Sequence, residues 1–82
     1  MATLLSDLPD VAQGVVARVW ANGAALESGH LRRLGQLGFQ PAEPVQVLRR
    51  GPGGREPLAV RVGDALFALR LAEARCIAVD AG

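Results

Sequence analysis

The chain contains no tyrosine and no lysine, a single cysteine and a single histidine, and no apolar run approaching the length of a membrane span. Each shortage closes off a class of function. A lone Cys76 excludes an internal disulfide and fits a reducing compartment. Only His30 and Cys76 could offer nitrogen or sulfur to a metal, whereas a closed site takes about four converging donors. No metal site is therefore expected within one chain. His30 reads as a surface or capping residue, and Cys76, alternating with Ile77 and Val79, as a small buried one. Hydroxyl side chains are equally scarce: Thr3, Ser6 and Ser28 stand alone, and no spacing joins them to His30 and an acid. The 8 carboxylates are scattered singly. The sequence thus predicts no catalytic residue, no cofactor and no enzyme.

Nucleic-acid binding is disfavoured on two counts. Stacking platforms need aromatics, and the chain has only Trp20, Phe39 and Phe67. The formal net charge is +1, too small for a field that would gather phosphates. All 9 basic residues are arginine, which suits forked hydrogen bonds at interfaces but is also the ordinary outcome of a GC-rich genome. "GPGGR", Gly51 to Arg55, lacks the lysine and hydroxyl ending of a phosphate loop and joins two strands, so it is read as a hairpin loop. The opening "MATLLSDLP" has no basic region, long apolar stretch or cleavage site, which places the expected compartment in the cytoplasm. Charges interrupt the chain too often for the roughly 20 apolar residues of a transmembrane helix, so no membrane insertion is expected.

What is present is a small, half-hydrophobic chain rich in turns. At 82 residues, 1–82 is expected to be one domain, and a chain this short buries only about 60% of its unfolded surface. "VVARVW", Val15 to Trp20, reads as a strand. A helix follows, with Ser28 as its cap, Leu31, Leu34 and Leu37 on one side, and Gly38 supplying a left-handed C-terminal position before Pro41 and Pro44. Gly35 inside it costs about 1 kcal/mol against alanine, so this helix depends on packing and acts as a lid. From Val45 the period changes to two: "VQVLRR", "LAVRV", "ALFALR" and "CIAV" read as strands, with "LAEA" as one helical turn before the last.

The turn "VGDA" fixes a register. A two-residue hairpin at Gly63 and Asp64 sets Val62 against Ala65, Val60 against Phe67 and Leu58 against Leu69 on one apolar face. The other face pairs Arg61 with Leu66 and Ala59 with Ala68 and is expected to be solvated or used for contact. About five short strands with this turn content predict a mainly β fold, a small closed barrel without sheet edges.

With catalysis and metal set aside, contact with another protein remains. Leu34, Leu37 and Phe39 lie on or just after the helix, flanked by Arg32, Arg33, Arg49 and Arg50. An apolar centre with arginine at its edge is common interface anatomy; the plainer expectation, favoured for Leu37 and Phe39, is that they are core.

"RRLGQLGFQPAEPVQVLRR" resembles the FeoA family pattern: a short helix ending in a Leu-Gly-hydrophobic step, a proline, a small turn and a Val-x-Val strand followed by basic residues. "LSDLPDVAQGVVARV" is similar to the family's opening and "FALRLAEARCIAV" to its close, so the resemblance covers nearly the whole chain. It implies an SH3-like barrel and a cytoplasmic accessory role in bacterial ferrous iron uptake, acting with the membrane iron transporter that carries a GTP-binding domain. The contact residues expected on that reading are Arg33 and Leu34, with Phe39 behind them, and Arg61 with Leu66 as a second patch. A monomer is the expected state. Two rival readings are a detached regulatory module, because the same barrel resembles the C-terminal domain of iron- and manganese-dependent repressors, and a small-barrel RNA binder. The departures from the family pattern fall in turns: Asp10 follows Pro9 where glycine is common, Ala42 replaces a glycine after Pro41 and makes a positive φ costly there, "GPGGREP" is one residue longer, and the glycine of "VGDA" comes one place earlier.

Overall fold

The computed structural model describes residues 2–20, 28–54 and 56–81. The polar-glycine stretch after Trp20, the Ser28 cap, the His30 side chain and Arg55 lie outside what is described. The elements run β1 (Ala2–Leu4), a 3-10 turn (Leu5–Asp7), β2 (Gln13–Val19), α1 (Ser28–Leu37), β3 (Pro44–Arg50), a 3-10 turn (Pro52–Gly54), β4 (Leu58–Val62), β5 (Ala65–Leu69), α2 (Leu71–Ala74) and β6 (Ile77–Ala81). The strands form an antiparallel SH3-like barrel in the order β1-β6-β2-β3-β4-β5.

Two features correct the sequence reading. The described residues form six strands where about five were expected, because β1 is only 3 residues long and carries no alternation to betray it. The barrel is also not sealed by strand pairing: the ladder has two ends, β1 and β5. They are drawn together at one end of the barrel, where the 3-10 turn following β1 packs on α2, which follows β5.

The hairpin register is the one the turn dictated. Leu58 pairs with Leu69, Val60 with Phe67 and Val62 with Ala65, while Arg61 opposes Leu66 and Ala59 opposes Ala68. Gly63 takes a φ of 56°, the left-handed conformation that a glycine-first turn requires. Leu58, Val60, Val62 and Leu69 are buried, and Phe67 packs behind them with its ring centroid 6.3 Å from that of Phe39.

α1 ends in a Schellman motif. The Phe39 N–H donates to the Leu34 carbonyl (3.1 Å) and the Gly38 N–H to the Gly35 carbonyl (3.1 Å), with Gly38 at φ 118°. That motif brings the residue after the glycine back onto the last turn, so Phe39 and Leu34 enter the core together, at 1% and 0% exposure. Leu31 and Leu37 are half-buried against the same cluster. Cys76 is buried, its Sγ 3.4 Å from the Ala72 carbonyl.

Two turns carry backbone strain. In Gln40–Glu43 and in Pro9–Ala12 the fourth residue's N–H donates to the first residue's carbonyl, at 3.0 and 3.1 Å. The third residue has positive φ, 74° at Ala42 and 61° at Val11, a geometry that normally takes glycine. Ala42 was expected to resist this conformation and adopts it nonetheless, while at the first turn the left-handed residue is Val11, not Asp10. Each strained residue donates a 2.7 Å hydrogen bond into a neighbouring strand, Val11 to the Val47 carbonyl and Ala42 to that of Val16, which offsets the strain. A left-handed conformation costs an L-residue about 1–2 kcal/mol, partly returned to glycine's greater freedom when unfolded. Val11→Gly should therefore raise stability by about 1 kcal/mol, and Ala42→Gly by rather less. For a domain of this size 1 kcal/mol moves the melting midpoint by about 4–8 °C, which calorimetry would resolve.

Candidate functional site

The outer face of the sheet presents a row of side chains that runs across four strands. Gln13 of β2 pairs with Gln46 of β3, Gln46 with Arg61 of β4, and Arg61 with Leu66 of β5. Side chains of directly opposed residues stand about 5 Å apart on one face, so three polar groups lead to one large apolar one. Leu66 is 63% exposed, and Ala68, two residues on, is exposed as well. Gly14, Pro44, Val45 and Gly63 line a pocket together with Gln13, Gln46 and Arg61 of the row. Val15, 40% exposed, lies on the same face next to Pro44.

Of the five expected contact residues, the structure sets Arg61 and Leu66 directly opposite each other at the surface. Arg33 is exposed on α1, a different element. The expectation for Leu34 is corrected, since the Schellman turn buries it; Phe39 is buried as the plainer reading had it, and neither offers surface to a partner. α1 is a lid whose apolar side is consumed by the core.

Arg50 was expected at a rim and is instead a structural clamp. Its Nη2 donates to the carbonyl oxygens of Ser6 (2.9 Å) and Leu8, and its Nε lies 3.3 Å from Asp10 Oδ1. The cause is a β-bulge between Val47 and Arg49, which puts Arg49 opposite Ala59 on the outer face and Arg50 opposite Leu58 on the inner one. Arg50→Ala would leave two carbonyls without their charged donor and is expected to cost about 2 kcal/mol. Arg50→Lys should recover little, because an ammonium cannot reproduce the fork; chemical denaturation of both variants checks this.

Among the described residues no cluster of three or more His, Cys, Asp or Glu side chains could hold a metal ion. No buried side-chain polar atom among them lacks a partner. Trp20 does not present a bare ring, because the Arg18 guanidinium sits 4.4 Å from its centroid. No helix among the described residues is long and apolar enough to cross a membrane.

The FeoA domain model matches residues 3–81. The chain belongs to the FeoA family. Its fold is that of solved family members. The FeoA of Stenotrophomonas maltophilia, solved as a zinc complex and described as a prokaryotic SH3 domain protein considered as an activating factor of ferrous iron transport, is 42% identical over 98% of this chain and 89% of its own, with a TM-score of 0.81. The FeoA of Chlorobium tepidum is 32% identical over 96% of this chain and 70% of its own, also at 0.81. A manganese-dependent transcriptional repressor matches at 0.80 with 23% identity, covering 99% of this chain and 42% of its own, a likeness of fold alone. No curated protein matches the chain.

Proposed function

We propose that this FeoA domain works in the cytoplasm as an accessory protein of bacterial ferrous iron uptake, docking on the cytosolic, GTPase-containing portion of the membrane transporter. The observation that carries the docking site is Leu66, a large apolar side chain left 63% exposed directly opposite Arg61 on the outer sheet face. Exposed apolar groups beside arginine form the desolvated centre and edge of protein interfaces. The row Gln13, Gln46 and Arg61 supplies hydrogen-bonding groups around it. The pathway is supported by the family match and by the Stenotrophomonas maltophilia relative, considered as an activating factor of ferrous iron transport. Because α1 spends Leu34 and Phe39 on the core, the sheet replaces the helix as the preferred contact surface, with Arg33 left as a peripheral charge.

A pull-down with the transporter's cytosolic domain in its GTP-bound, GDP-bound and nucleotide-free states tests this. Retention in at least one state is expected; retention in none removes the reading. The fold likeness to the repressor keeps a detached regulatory module as the second reading, and capture of a transcription regulator in place of the transporter would favour it.

A further inference from the structure

The hairpin register determines what β5 shows at the end of the ladder. In a two-residue hairpin the residues flanking the turn, Val62 and Ala65, exchange backbone hydrogen bonds, so Ala65, Phe67 and Leu69 direct their N–H and C=O groups toward β4. Leu66 and Ala68 must then direct theirs outward. Among the described residues β4 is the only strand paired with β5, and no other backbone hydrogen bond among them engages Leu66 or Ala68. Natural edge strands are shielded by charge or proline, whereas "ALFAL" contains neither.

We propose that β5 pairs antiparallel with β5 of a second copy of this chain, centred on Phe67. In that register Leu66 of each copy faces Ala68 of the other, so all the outward N–H and C=O groups of these residues are satisfied in two hydrogen-bonded pairs. Charge selects the same register. Asp64, just before β5, and Arg70, just after it, are both exposed, and pairing about Phe67 brings Asp64 of each copy opposite Arg70 of the other. Sliding by two residues either way replaces this match with Asp64 against Ala68, or Leu66 against Arg70. The contact is isologous and closes as a dimer. It is smaller than a standard interface, so the dimer is weak and reversible. The monomer expected from the sequence is its dilute form.

The test is sedimentation of the full chain from about 10 μM to about 1 mM, the range in which small interfaces associate. The apparent mass should rise from 8.6 kDa toward twice that value. Ala68→Pro deletes an N–H that β4 does not use, so it should leave folding intact and abolish the rise. Asp64→Arg should weaken the dimer about tenfold by replacing attraction with repulsion at both ends, and Asp64→Arg with Arg70→Asp should restore it. Arg61→Glu, which alters the docking row on β4 and leaves the edge untouched, should dimerise as the parent does, so failure of transporter docking is read separately. A mass that stays at 8.6 kDa throughout, a dimer that survives Ala68→Pro, or a charge swap that fails to restore pairing would overturn the proposal.

Discussion

Leu34→Asp is expected to leave the chain unfolded. Leu34 has 0% exposure and sits one Schellman turn from Phe39, within the core cluster that also holds Val47, Val60 and Ile77. A carboxylate there would have to ionise in apolar surroundings or stay protonated without a partner, either at a cost of several kcal/mol. Natural domains have about 0.05–0.15 kcal/mol of stability per residue, so this one change consumes most or all of it. The milder Leu34→Ala should cost about 3 kcal/mol through lost burial and the cavity left behind. Circular dichroism with a thermal scan separates the outcomes: random-coil signal for Leu34→Asp, and for Leu34→Ala a native spectrum melting well below the parent. A folded Leu34→Asp would mean that α1 does not close the core.

Leu66→Glu should do the opposite, sparing the fold and removing the function. At 63% exposure the side chain contributes little to the core, and surface substitutions stay within about 0.5 kcal/mol. At the centre of a docking patch, however, loss of a large apolar anchor typically costs 2 kcal/mol or more, about thirtyfold in affinity. Arg61→Glu, directly across the ladder, should weaken docking through charge while also leaving the fold intact. Fe(II) uptake in cells whose own copy has been deleted should fall with either variant, at unchanged protein level. Full uptake with Leu66→Glu would exclude the sheet row as the contact.

The contrast between Leu34 and Leu66 shows what the sequence disclosed and what it withheld. The β4–β5 register was legible because a glycine-first two-residue turn leaves a period-two strand only one phase, and Arg61 and Leu66 followed from it. α1, its glycine stop and α2 were legible from spacing and breakers. The apolar stripe of α1 could be traced without showing which leucines the core would absorb, since that depends on how the turn after Gly38 folds Phe39 inward. Arg50 was hidden for a different reason. Alternation alone puts Arg49 inside with Val45 and Val47, and only the bulge after Val47 exchanges the two arginines. β1 was too short to carry a period, and Val11 disguised a glycine-type turn with a residue that resists it.

The most direct measurement is an NMR titration of the isotopically labelled chain with the transporter's cytosolic domain, following every backbone amide. Docking through the sheet predicts shifts concentrated at Gln46, Arg61, Leu66 and Ala68. Shifts confined to α1 around Arg33, with the β3–β5 face silent, would contradict it.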